Sequence, residues 1–190
     1  SNKGVRMDMN NVECILSWPS PKTVKELRDF LGLTGYYRRF IKGYGAISRP
    51  LANLLKKDAY SWNVEAHEAF DLLKTAISSA PVLRLPNFDI PFVVETDACG
   101  QGMGAVLLQE GHPIAFVSKA FSLKNMGLSV YEKELMVLVF AVTKWKHYLI
   151  GNHFIIQTDY KSLKFLLKQR LTTTAQYKWL TKMLGLDYEI

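Results

Sequence analysis

Two cysteines in 190 residues, Cys14 and Cys99, with no paired spacing, leave neither a disulfide framework nor a thiolate zinc cluster to organise a fold. Long apolar runs are missing too: the longest, Leu135 to Val142, falls far short of the roughly 20 residues that span a bilayer. No secretory-leader layout opens the chain. These absences set the expectation of a soluble intracellular protein with no membrane partner. Acidic residues are scarce in one region only. Residues 1–60 hold 11 Lys and Arg against 5 Asp and Glu, whereas residues 61–190 hold 13 against 12, so most of the net charge of +7 sits in the first third. That excess reads either as a solvated basic face or as a lobe that binds a polyanion. With apolar content of 48% and charged content of 22%, the chain has the composition of a globular protein with a real core.

The basic first third reads as helical. Thr23-Val24-Lys25-Glu26 fits a capping box, and Leu27, Phe30, Leu31, Tyr37 and Phe40 then recur at helical spacing. Gly32 and Gly35 interrupt good helix formers, as expected where another backbone comes close. Lys25, Arg28, Arg38, Arg39 and Lys42 supply positive charge, and Tyr36-Tyr37-Arg38-Arg39-Phe40 interleaves aromatic planes with guanidinium groups. That mixture suits phosphates and stacked sugars or bases, although an amphipathic helix with core aromatics has the same pattern. A short helix is expected near Ile47 to Lys56 and a longer one from Asn63, with Ala66, Ala69, Phe70, Leu73, Ala76 and Ile77 on one stripe and Pro81 as its stop. Ser1-Asn2 has the look of a cloning remnant.

Strands are expected after Pro81 to Asp89. Pro91 to Val94 is an apolar run that leads to Asp97, and Phe154 to Thr158 leads to Asp159, so Thr-Asp closes both. Carboxylates at strand carboxyl ends sit where open α/β sheets gather their chemistry. Gly104 to Gln109 and Ile114 to Ser118 form two further strands about a turn at Glu110 to Pro113. Helices are expected from Val130 to about Tyr148, at Lys161 to Leu167 and at Thr174 to Leu184, and Asp187 to Ile190 begins one more strand. An acid after a strand is also a common N-cap, a role open to Asp97 and to Asp159.

Two acids open the central helix, and periodicity separates them. Ser129-Val130-Tyr131-Glu132 is a second capping box, which accounts for Glu132. Glu134 falls on the opposite side of the wheel with Leu138, Ala141 and Trp145, the side that packs on a sheet. An ionised carboxylate there is costly unless it is paired or holds a metal. If the strands ending at Asp97 and Asp159 are parallel neighbours, both tips lie on one sheet edge. Periodicity alone leaves open whether Glu134 reaches that edge.

The stretches TDACGQGMGAVLLQEGHPIAFVSKAF, YEKELMVLVFAVTKWKHYL and FIIQTDYKSLKFLL resemble the ribonuclease H region of reverse transcriptases from gypsy-type LTR retrotransposons. Upstream, VRMDMNNVECILSWPSPKTVKELRDFLGLTGYYRRFI and SWNVEAHEAFDLLKTAISSAPVLRLPNF look like the thumb of the same polyproteins. The resemblance implies a thumb-like helical subdomain at 1–86 and a ribonuclease H-like domain at 87–190, an α+β or α/β fold with a mixed five-stranded sheet flanked by helices. It implies a nuclease that cuts the RNA strand of RNA–DNA hybrids with two divalent ions, Mg²⁺ or Mn²⁺, held roughly 4 Å apart. Motif by motif, Asp97, Glu134 and Asp159 match the family's catalytic and metal-holding acids. Lys25, Arg28, Tyr36, Arg38, Arg39 and Lys42 would grip the hybrid or template–primer duplex, and the palm and fingers of the parent polyprotein would be partners. Members continue to a last helix with a fourth acid, so this chain is expected to be a fragment whose isolated activity is impaired. The implied location is cytoplasmic, in a virus-like particle, with access to the nucleus open. A non-catalytic connection-type scaffold is the alternative reading.

Overall fold

Side-chain oxygens start the two long N-terminal helices. In the computed structural model, which describes residues 4–99, 102–159 and 174–190, Thr23 accepts from the Glu26 N–H at the head of α2 (Val24–Tyr36), after α1 (Met9–Leu16). Asn63 accepts from the Ala66 N–H at the head of a longer helix, Val64–Ser78. The Thr23 box departs from expectation in one bond, since the Glu26 carboxylate accepts from the Lys22 N–H. Tyr37 and Phe40 are buried as expected, but α2 has ended: Arg38–Phe40 is a single 3-10 turn. The expected helix near Ile47 is two short ones, α3 (Tyr44–Ile47) and α4 (Arg49–Asn53), parted at Ser48 because Pro50 fits only the first turn of a helix. Val64–Ser78 is therefore α5.

Five strands follow, β1 (Phe92–Cys99), β2 (Gly102–Gln109), β3 (His112–Ala120), β4 (His153–Thr158) and β5 (Asp187–Glu189). They lie in the order β3-β2-β1-β4-β5, with β1–β2 and β2–β3 antiparallel and β1–β4 and β4–β5 parallel. The β2–β3 turn is tighter than expected. Glu110 and Gly111 alone make it, at φ of 49° and 74°, the left-handed pair that matches strand twist. Between β3 and β4 come α6 (Leu123–Met126), α7 (Val130–Lys144) and α8 (Lys146–Leu149). The expected single helix to Tyr148 breaks at Trp145, which is buried and whose N–H still bonds Ala141 O. α9 (Thr174–Leu180) is shorter than its expected span, and the helix expected at Lys161 to Leu167 lies outside the described residues.

Two layers cover the sheet. On one face, Phe92, Val94, Leu107, Phe154 and Ile156 pack against Leu135, Leu138, Ala141 and Val142 of α7. The other layer is the N-terminal helical lobe, whose core of Ile15, Leu27, Phe30, Leu51, Phe70 and Leu73 takes in Phe116 of β3. Gly45 makes the seam close. Its N–H donates to Ser118 Oγ at 2.7 Å, and a Cβ there would stand 3.0 Å from the Lys119 backbone. An antiparallel bridge between Val5 and Leu83 ties the first described residues to the connector that enters β1.

Candidate metal and nucleic-acid site

Strand pairing brings the two Thr-Asp motifs together. The parallel ladder of β1 and β4 runs from Phe92↔Phe154 to Thr96↔Thr158, so Asp97 and Asp159 each lie one residue past its last step, at adjacent tips on one edge. Both are exposed. Asp97 is not a helix cap, because it lies within β1, which runs on to Cys99, and pairs with Gly104 of β2. The N-cap reading of Asp159 concerns residues outside those described.

Glu134 comes to this edge from α7. The Ser129–Glu132 box closes that helix with both of its bonds, Glu132 N–H to Ser129 Oγ at 3.2 Å and Ser129 N–H to Glu132 Oε2 at 3.0 Å. Glu132 is thus spent on structure. Two residues on, Glu134 is only 9% exposed, and its Oε2 has no hydrogen-bond partner among the described residues. Burial first, and then the charges of Asp97 and Asp159, push its carboxyl above the usual carboxylate range, while the Ala98 backbone N–H pulls the other way. Glu134 therefore senses the charge of both strand-tip acids. Thr96 Oγ1, beside Asp97, is also buried and without a hydrogen bond.

Hard, anionic oxygen donors, one of them orphaned beside two like charges, fit a divalent cation such as Mg²⁺ or Mn²⁺. Among the described residues no group of three or more His, Cys, Asp or Glu is gathered tightly enough to be a ready-made ligand set. The acids share an edge without meeting at a point.

The six cationic and aromatic candidates are all exposed. On α2, Lys25, Arg28 and Tyr36 fall on the side opposite the buried Leu27, Phe30 and Thr34. Gly32 shares that outer stripe and, against expectation, no other part of the chain approaches it: a Cβ there would meet nothing within 4 Å. At Gly35 instead a Cβ would stand 3.4 Å from the Tyr44 hydroxyl. Tyr36, 78% exposed, sets its ring edge-on to Tyr37 at 5.0 Å, and the Arg39 guanidinium lies 5.0 Å over the Phe40 ring. Tyr36 and Arg39 border a groove of about 780 Å³ with Asn11 and Phe40. Lys42 lies elsewhere, on a cavity of about 100 Å³ that Asp97 also lines.

One buried polar residue that sets the entry to β1 was not singled out in the sequence. Gln109 is fully buried, and its amide accepts from Asn87 N–H at 2.9 Å and donates to Asn87 O and Ile90 O at 2.7 Å each, setting the connector that leads into β1. A glutamine at an inward position of an apolar strand was the available signal.

Residues 62–156 match the family model for the RNase H-like domain found in reverse transcriptase. The retrovirus-related Pol polyprotein from transposon 297 of Drosophila melanogaster is 38% identical over 189 residues, covering 98% of this chain and 18% of the polyprotein. The Pol polyprotein from transposon gypsy of the same fly is 35% identical over 193 residues, covering 94% and 19%. The Tf2-3 transposon polyprotein of Schizosaccharomyces pombe is 36% identical over 171 residues, covering 86% and 13%. The chain thus spans less than a fifth of these relatives. Among solved structures, the foamy viral protease-reverse transcriptase dRH in complex with double-stranded DNA superposes with a TM-score of 0.85 at 22% identity, over 98% of this chain and 35% of that one. The foamy viral protease-reverse transcriptase in complex with RNA/DNA hybrid gives 0.81 at 22% identity, over 98% and 27%. At that identity the likeness is one of fold.

Proposed function

Because the chain belongs to the RNase H-like domains found in reverse transcriptase, we propose that Asp97, Glu134 and Asp159 hold the divalent ions of a nuclease that hydrolyses the RNA strand of RNA–DNA hybrids. The observation that carries this reading is the buried Oε2 of Glu134, without a partner among the described residues, at a strand edge where Asp97 and Asp159 add like charge. When bound, two such ions activate a water and stabilise the leaving oxygen in an in-line displacement. The chain's own part is to hold carboxylates on rigid strand tips and on a capped helix, and to keep water from one side of Glu134.

Residues 1–86 act as the thumb-like lobe and 87–190 as the nuclease domain, beside the palm and fingers of a parent polyprotein. Lys25, Arg28, Tyr36, Arg38, Arg39 and Lys42 grip the duplex by its backbone during RNA-directed DNA synthesis. The open stripe at Gly32 lets a nucleic-acid backbone or groove edge approach α2. Contacts of this kind depend on salt and not on base sequence.

A second reading, a connection-type scaffold without activity, draws on the absence of a tight ligand group among the described residues. Cleavage separates the two. The chain with the flanking segments of its polyprotein restored is expected to cut the RNA of a hybrid in Mg²⁺ or Mn²⁺, and Asp97→Asn is expected to abolish the cut. Hybrid left whole by the unsubstituted protein supports the scaffold, and cleavage that survives Asp97→Asn removes the metal-site assignment.

A further inference from the structure

Lys42 is held more firmly than its exposure suggests. Ile41 before it is buried to 2%, and Gly43 after it turns the chain at φ 71° into α3. Gly45 then fixes α3 to β3 through its bond to Ser118 and a close backbone approach that a Cβ would crowd. The backbone at Lys42 is thereby held between the core of the helical lobe on one side and the sheet on the other.

Its position differs from that of the other basic candidates. Lys42, Gly43 and Ala46 form one wall of the 100 Å³ cavity, facing Glu95 and Asp97 of β1 and Gly104 of β2. Tyr36 and Arg39 border a separate groove that shares no lining residue with this cavity. Although two carboxylates line its cavity, Lys42 enters none of the ion pairs among the described residues. An exposed ammonium on a held backbone, beside an acidic edge and in no ion pair among the described residues, suits an anion that arrives with the substrate.

We propose that Lys42 is a positioning residue for cleavage: its ammonium holds the phosphate next to the bond that is cut, setting the hybrid's register against Asp97. The inference rests on the nuclease reading and adds to it a second, separate point of contact between the N-terminal lobe and the hybrid. Arg38 and Arg39 supply affinity along the duplex; Lys42 supplies alignment at the reacting end.

The test is binding in EDTA, which needs no metal and no turnover, on the protein with its flanking segments restored. Hybrids carrying a single neutral methylphosphonate at successive positions are titrated against the unsubstituted protein, Lys42→Gln, Lys42→Arg and Arg39→Gln. Lys42→Gln is expected to reduce the slope of log affinity against log salt by about one. At one phosphate position the methylphosphonate should weaken the unsubstituted protein and leave Lys42→Gln unaffected, and that position should adjoin the cleavage site mapped in Mg²⁺. In the cleavage assay Lys42→Gln should lower kcat about tenfold with KM changed less than twofold, and Lys42→Arg should restore most of it. A phosphate position shared with Arg39→Gln, no such position at all, or an unchanged kcat overturns the inference while leaving the nuclease reading intact. Cleavage indifferent to Asp97→Asn overturns both.

Discussion

Glu134 and Glu132 show how two residues of spacing separate a capping acid from a buried one. Glu132 has every bond a capping box offers, whereas Glu134 is held in the α7–sheet interface with an oxygen that bonds to nothing among the described residues. Its folded-state pKa lies above the unfolded value, because burial and the neighbouring acids disfavour the anion. The stabilising contribution of the protonated group is therefore complete below the ordinary carboxylate range and is lost as pH rises through the raised value. Without divalent ions, Glu134→Gln is expected to melt higher than the unsubstituted protein at neutral pH, and the gap should close in acid. Added Mn²⁺ should raise the melting temperature of the unsubstituted protein and not that of Glu134→Gln. A lower melting temperature for Glu134→Gln at neutral pH would mean that the carboxylate is paired in the folded chain.

At the scale of elements, α7 does two jobs with two faces of its first turns. Leu138 is fully buried against the sheet, so Leu138→Ala should cost roughly 2–5 kcal/mol in chemical denaturation. Glu132→Ala, which removes half of the capping box, should cost about 1 kcal/mol and leave cleavage intact. Loss of cleavage in Glu132→Ala, at unchanged stability, would move the functional acid to the wrong residue. Helical spacing made this division legible before any coordinates, as repetition of Thr-Asp did for the strand tips. Other features were not legible. The break at Trp145, the early end of α2 and the tight Glu110–Gly111 turn all depend on tertiary packing or on one residue's φ. Gln109 reads as a polar interruption of a strand until Asn87 and Ile90 are seen to bond it. Periodicity placed Glu134 inward but not at the strand edge, because helical phase fixes a direction and not a height along the sheet.

At the scale of the molecule, the positive charge lies on the lobe that covers one sheet face, and the acidic edge lies where the strands end. In the proposed function a duplex is gripped by the first and acted on by the second. Arg38→Glu combined with Arg39→Glu should weaken hybrid binding and flatten its salt dependence by about two in slope, equally for any sequence. Binding that keeps its salt slope would exclude this part of the lobe from the grip. The central claim is that Asp97, Glu134 and Asp159 share one ion-binding centre, and anomalous diffraction from crystals grown with Mn²⁺ and a hybrid tests it most directly. The expected result is manganese density bounded by those three carboxylates and absent from Asp97→Asn crystals; manganese elsewhere, with Glu134 Oε2 still making no contact, would contradict it.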